Sequence, residues 1–491
     1  MIPPPLPTPS SRASLVLTGL DDVLRRGACV ERAVKRTLRA GGRTGLLANN
    51  DQRAAAAEAL FGVSMLRMRL SHLLPQTDAG AQCGSLGMLA LFLLHETPQR
   101  CDPAVLAREL PADALGLPAN ILEHLRSFDP HSARWPTDPA HRLAAELSLP
   151  PRLLRSWHSQ LGGSWDEVAL LGEACNAPGP VTLRANLARG GRGDLRSALA
   201  RDAPLLRCSD GRLSPWALTL HGGREAWGGS LWSLRSWGEG RFEAQDEGSQ
   251  CVAAATEAAL GEKVFDACAG NGGKTLALCA MVGPHGKVVA YDVATARLRQ
   301  LAAAAKRAGV TSRVQILEHP ESDDARGCDV ALVDAPCSSS GVLRRHPGLR
   351  WSRDAAWYEP ADLDDAAAMG GGGGGGWDGA AGTWTRDGAR RDGGSSAHEL
   401  PALQLSLLRQ AATRVRRGGR LVYATCALCR EENQDVATAF EAGAGQGDDM
   451  FVPWPFEEGV AGRDEAAPHQ RTLWPHRHGT DGFFVARWRK L

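Results

Sequence analysis

The stretch DVALVDAPCSSSGVLRRHPGLRW, Asp329 to Trp351, decides the fold. Val330 to Val333 is an apolar run of strand length, and Asp334, Pro336 and Gly341 turn the chain out of it, with Cys337 in the turn. A second run, LVYATC from Leu421 to Cys426, repeats the design and ends on Thr425 and Cys426. Ligands of open α/β sheets bind just beyond the carboxyl ends of the strands, so both cysteines are expected to face one crevice. Sulfur chemistry on a bound substrate is the expectation.

Upstream, KVFDACAGNGGKTLALCAM (Lys263 to Met281) reads as the first βα unit of such a sheet. Its small-residue loop runs from Asp266 to Lys274, with a helix from Thr275. Glycines there let the backbone approach a ligand, and the spacing is neither GxGxxG nor GxxxxGK[ST], so a phosphate is not favoured. The next strand ends on Asp292, from which a carboxylate can accept both hydroxyls of a ribose. Loop and acid together read as a site for an adenosine-containing cofactor. A helix from Ala294 to Ala308, a third strand from Arg313 to Leu317 and a helix from Leu400 to Val415, ended by Gly418 and Gly419, complete the sheet's surroundings.

Composition limits the alternatives. The chain has 491 residues, a net charge of +1 and 12 cysteines without framework spacing, which fits two or three domains in a reducing compartment. No secretory signal pattern opens it, and the longest apolar run, Leu86 to Leu94, is too short to span a bilayer. The expectation is a soluble intracellular monomer with no membrane partner. Cys426 and Cys429 form a CxxC without a second ligand pair, so no metal is expected.

The organisation expected is a disordered head over 1–20, an all-helical domain over 21–149, a small α+β subdomain over 150–240 and a catalytic α/β domain over 241–491. In the helical part Ala57, Phe61, Met65 and Met68 mark an apolar face, Glu58, Ser64 and Arg67 lie between them, and Asn49 to Asp51 are candidate caps. A Gly-rich insertion at about 359–399 cannot support a packed core and reads as disordered. Basic residues follow the first cysteine: Arg344, Arg345, His346, Arg350 and Arg353, with Trp351 among them. Guanidinium groups beside an aromatic suit phosphates and an unstacked base, so these are candidate RNA contacts. Arg184 and Asn186, alternating with apolar neighbours in PVTLRANL, are either RNA contacts or ordinary polar-face residues.

FDACAGNGGKT, LVDAPCSSSGVLRRHPGLRW, LVYATCALCREEN and GFFVARWRK resemble, in order and spacing, the motifs of RNA cytosine-5 methyltransferases of the Sun/RsmB type. EAQDEGSQ and PVTLRANL are similar to that family's linker and pre-catalytic subdomain, and the helical part to its NusB-like domain. The resemblance implies a Rossmann-like, S-adenosylmethionine-dependent methyltransferase domain acting on RNA, with ribosomal RNA of the small subunit favoured and tRNA an alternative. It implies that Cys426 attacks the base, that Cys337 assists release, that Asp334 holds the base and that Lys274 is a supporting charge. It places the cofactor on Cys268, Ala269, Gly270, Asn271, Gly272, Gly273 and Lys274, with Asp292 and Asp334. Gly270 and Asn271 stand where the family loop carries Ala and Pro. A thiolate is the attacking form, and a free thiol of pKa about 8.5 is mostly protonated at pH 7, so the site is expected to lower the thiol pKa. A non-catalytic RNA-binding assembly factor and a DNA cytosine methyltransferase remain as other readings.

Overall fold

Strand formation by the apolar runs gives the chain its central sheet, as the computed structural model shows. The structure describes residues 11–77, 83–222, 224–320, 322–351, 383–384, 390–391, 400–443 and 450–491. Most of the Gly-rich insertion and the first ten residues of the head lie outside them. Two compact units divide the chain: Met1–Pro178 with Leu343–Ala397, and Gly179–Val342 with His398–Leu491.

The first unit is helical. Its core gathers Leu15, Val16, Leu20, Leu60, Val63, Leu70 and Phe92, all at most 3% exposed. Helix formation begins at Arg12, inside the segment expected to be disordered, because Ser11 and Ser14 form a reciprocal capping box and Leu15, Val16 and Leu20 find a core. The helix Asn50–Met65 is capped by Asn49, whose side chain accepts from the Gln52 amide. Its burial departs from the single apolar face: Glu58 and Ser64 are buried while Ala57 and Phe61 are only partly so. Glu58 is tolerated inside because its carboxylate accepts the amides of Gln99 (2.9 Å) and Arg100 (2.7 Å). The helices Pro151–Gln160 and Trp165–Asn176 also belong to this unit, so the α+β part starts later than residue 150.

The second unit opens with a four-stranded antiparallel sheet of β1 (Val181–Ala185), β2 (Arg207–Asp210), β3 (Ala217–His221) and β4 (Phe242–Ala244), in the order β2-β3-β1-β4. The large sheet follows with β5 (Lys263–Asp266), β6 (Lys287–Ala290), β7 (Val314–Ile316) and β8 (Cys328–Asp334). A two-residue ladder of β9 (Thr383–Trp384) and β10 (Arg390–Arg391) belongs to the first unit. The large sheet is completed by β11 (Val415–Thr425), β12 (Phe451–Pro453), β13 (Gln470–Leu473) and β14 (Phe483–Lys490). Its order is β12-β14-β11-β8-β5-β6-β7, with β13 on β14. Strands β5, β6, β7, β8 and β11 are parallel; β14 joins β11 antiparallel. Parallel strands covered on both faces read as continuous apolar runs, as Val330–Val333 of β8 and Leu421–Ala424 of β11 do.

Gly418 and Gly419 do not end a helix. The helix stops at Ala412, and the glycines lie in β11, where its register on β8 shifts between Val415 and Arg420. Gly418 has φ +74, and a Cβ on Gly419 would sit 2.6 Å from Val415 Cγ1. The pair makes a bulge that only small residues permit.

Candidate active site

Register brings the two cysteines together. Ala424 of β11 pairs with Asp334 of β8, so Cys426 and Cys337 leave neighbouring parallel strands on the same side of the sheet. Their sulfurs are 3.3 Å apart. Both loops are pinned: the Ala335 amide donates to Ala424 O (2.9 Å), the Gly341 amide to Cys426 O (2.9 Å) and the Leu428 amide to Ser340 Oγ (2.7 Å). A Cβ on Gly341 would lie 2.3 Å from Gly482 O, so this crossing requires glycine.

Beside the thiols, Lys274 Nζ donates to Asp334 Oδ2 at 2.6 Å and lies 5.3 Å from the centre of the Phe483 ring. The Lys274 side chain is 11% exposed and that of Asp334 28%, so the pair is largely shielded from water. The Cys337 thiol is pushed up, first by its contact with Cys426 and then by burial. That direction keeps Cys337 protonated at neutral pH. Cys429 is fully buried and pushed up by burial, a small core residue beside Ser340.

Two neighbours in EEN, to which the sequence assigned no role, hold this arrangement. Glu432 is 1% exposed; its Oε2 accepts from the Ser338 amide (2.8 Å) and from Gln404 Nε2 (3.0 Å), and Gln404 also donates to Pro336 O (2.9 Å). Asn433 accepts from Thr425 Oγ1 (2.6 Å) and donates to Ala427 O (3.0 Å). One residue thus fixes the Cys337 loop and the next fixes the Cys426 loop. Acidic and amide residues a few positions past a strand-end cysteine are the only signal the sequence offers for this.

The glycine-rich loop lies at the end of β5. Gly270 N–H donates to Asp292 Oδ2 (2.8 Å) and Ala294 N–H to Asp292 Oδ1 (2.8 Å), so Asp292 fixes the loop against the end of β6. Gly272 has φ +91, and a Cβ there would come 2.3 Å from Leu301 Cδ1. Asp266 is 1% exposed, accepts from Thr275 Oγ1 (2.7 Å) and keeps its other oxygen, Oδ1, buried without a partner. These features fit S-adenosylmethionine: each Asp292 oxygen retains a lone pair for a ribose hydroxyl, and the loop backbone is open to close approach.

Burial pushes Asp266 up to about 7, while an unfolded aspartate titrates near pKa ~4. A group raised on folding contributes stability that is full below the unfolded value and is lost as pH rises through the folded one. The contribution should therefore vanish between about pH 4 and pH 7, by on the order of a few kcal/mol. Asp266→Asn should remove this dependence. Urea unfolding at pH 5 and pH 8 should show a smaller fall in stability for the variant than for the parent, and equal falls would refute the assignment.

The residues expected to touch RNA mostly do something else. Arg350 is 1% exposed and donates to Asn176 Oδ1 (2.8 Å) and to the carbonyls of Ser148 (3.2 Å), Met65 (3.4 Å) and Cys175 (3.4 Å), all within the helical unit. Burial lowers its pKa only to about 10, so it stays cationic while occupied with these acceptors. Trp351 donates Nε1–H to Ser64 O (2.7 Å), and Arg344 is buried with its carbonyl accepting from Arg100. Arg184 is 3% exposed and donates to Gln245 Oε1 and Gly273 O; Asn186 donates to Gly240 O (2.8 Å) and Ala308 O (2.9 Å). These are internal clamps, since a buried donor already committed to a carbonyl is not available to a phosphate. Arg345 and His346 remain partly exposed, with His346 Nδ1 3.7 Å from Glu31 Oε1. A cavity of about 680 Å³ is lined by Arg189, Glu239, Arg241, Lys306 and Arg307, and Glu239 and Glu243 pair with two of its arginines.

A mixed sheet of this order, parallel over β5, β6, β7, β8 and β11, with an acid-anchored glycine loop at the end of β5, defines a Rossmann-like, S-adenosylmethionine-dependent methyltransferase. The chain belongs to the RsmB/F family: the family model described as 16S rRNA methyltransferase RsmB/F matches residues 254–362 and 389–489. The ribosomal RNA small subunit methyltransferase B of Pseudomonas syringae pv. tomato is 30% identical over 360 residues, covering 72% of this chain and 67% of that one. The probable ribosomal RNA small subunit methyltransferase B of Bacillus subtilis is 29% identical over 363 residues, covering 72% and 69%. The crystal structure of PH0851 covers 99% of both chains with a TM-score of 0.66 at 19% identity, a likeness of fold. NSun6 from Pyrococcus horikoshii, solved with SFG, covers 69% of this chain and 97% of its own with a TM-score of 0.51 at 19% identity. Among the described residues no helix is long and apolar enough to cross a membrane.

Proposed function

We propose that this chain forms 5-methylcytosine in RNA, with small-subunit ribosomal RNA as its substrate. The observation that carries the reading is the pair of thiols 3.3 Å apart at the ends of adjacent strands, beside the Lys274–Asp334 pair. Position 5 of cytosine is a poor nucleophile, and adding a thiolate at C6 makes C5 electron-rich. S-adenosylmethionine supplies an electrophilic methyl group. Cys426 is the thiolate in this reading: its sulfur bonds to C6, C5 takes the methyl group, and the adduct collapses when the C5 proton leaves and the S–C6 bond breaks. Cys337, 3.3 Å from that sulfur, assists the release. Asp334, oriented by Lys274, accepts from the base edge. A cytosine within a helix must first be flipped out, at roughly a few kcal/mol. Arg345 and His346 are the remaining candidates for RNA contact in the basic stretch, and the small-subunit names of the bacterial relatives support the choice of RNA.

The test is methyl transfer from labelled S-adenosylmethionine to undermodified total RNA, with nucleoside analysis and fractionation of the RNA. Label in 5-methylcytosine of small-subunit ribosomal RNA is the expected result. Label in another nucleoside would overturn the chemistry, and label confined to tRNA would overturn the substrate.

A further inference from the structure

Ser339 stands between the two thiols in a conformation that L-residues seldom adopt. Its φ is +63, one of three positive values at non-glycine positions among the described residues. Such a conformation is disfavoured for a residue with a Cβ and persists only where the surroundings enforce it. Here they do: Ser338 N–H is held by Glu432, Ser340 Oγ accepts from Leu428 N–H, and Gly341 N–H donates to Cys426 O. Glycine would satisfy the same backbone without strain, so the hydroxyl is what a serine adds. That hydroxyl oxygen lies 3.4 Å from Cys426 Sγ, 4.0 Å from Cys337 Sγ and 3.5 Å from Cys337 O.

We infer that Ser339 is a further catalytic residue, whose hydroxyl donates a hydrogen bond to the Cys426 thiolate as it attacks the base. In the resting thiol state the Cys426 S–H donates to Ser339 Oγ, the Ser339 O–H points to Cys337 O, and the Cys337 thiol, the titratable group facing Cys426, lies 3.3 Å from the same sulfur. When the thiol proton leaves to solvent, the sulfur becomes an acceptor, and rotation about Cβ–Oγ turns the hydroxyl proton onto it. A hydrogen bond to a charged group is stronger than one to a neutral group, so the exchange favours the ionised form. The fixed backbone means that no reorganisation accompanies it. This inference rests on Cys426 being the nucleophile.

The test uses the full chain as the parent and as Ser339→Ala and Ser339→Gly. The rate of iodoacetamide alkylation is followed against pH, with mass spectrometry localising the label to Cys426 within Leu421–Arg430. Both variants should move the midpoint upward by about one pH unit, close to tenfold slower alkylation at pH 7. Ser339→Gly should do so while melting no lower than the parent, because glycine relieves the strain. A purely structural role would change the melting temperature and leave the midpoint of the folded protein in place. Unchanged midpoints in either folded variant would overturn the inference. Absence of an RNA adduct on Cys426 in Cys337→Ala would instead overturn the nucleophile, whatever the alkylation profile.

Discussion

Replacing Cys426 with Ala is expected to abolish methyl transfer, by at least about four orders of magnitude, and to leave no covalent RNA adduct, because no other group takes over attack on C6. Cys337→Ala should behave in the opposite way. The nucleophile remains, the adduct forms, and its collapse slows because the thiol that assists release is gone. Denaturing gels of protein incubated with RNA and S-adenosylmethionine should show a shifted band for Cys337→Ala and none for Cys426→Ala. The geometry makes the contrast sharp: both sulfurs reach one point, 3.3 Å apart, so exchanging roles would require no movement of the backbone. The contrast is one of role, with Cys426 attacking and Cys337 assisting release. An adduct with Cys426→Ala and none with Cys337→Ala would reverse the assignment and match the pattern expected of a DNA cytosine methyltransferase.

The strands that build the site were legible because their signal is local: four or more apolar residues, then a turn residue, then chemistry. Asp292, Asp334, Cys337 and Cys426 all stand at strand ends as expected, and Lys274 reaches Asp334 from the first turn of the helix Gly273–Met281. The arginines were not legible, since charge in a sequence does not reveal which carbonyls await it. Arg350 bonds to Met65 O, 285 residues away, and Arg184 to Gly273 O, 89 residues away. Gly418 and Gly419 misled for a related reason. A Gly-Gly pair after a helical pattern serves equally as a helix stop or a strand bulge, and the parallel partner β8 decides between them. Glu432 and Asn433 lay in plain view in the quoted motif, but two charged or amide residues after a turn read as surface until Ser338, Gln404 and Thr425 are placed around them.

Breaking the Lys274–Asp334 pair is expected to lower the rate of adduct formation by about two to four orders of magnitude, the range associated with removing a positioned acid–base or electrostatic group. Asp334→Asn keeps the shape and loses the charge, leaving Lys274 mostly enclosed beside the Phe483 ring without its counter-ion. Lys274→Met keeps the aliphatic stem and leaves Asp334 without the donor that fixes its Oδ2. In a pair this shielded, removing one partner costs more than the pair itself contributes, because the remaining charge is stranded. The double variant Lys274→Met/Asp334→Asn should therefore be no slower than the worse single one. Rapid-quench measurement of adduct formation with saturating S-adenosylmethionine isolates this step from cofactor affinity, which equilibrium binding reports separately. If the two substitutions multiply instead, Lys274 and Asp334 act on different steps. In that case the lysine serves the cofactor loop alone, and the base edge is held by Asp334 without its help.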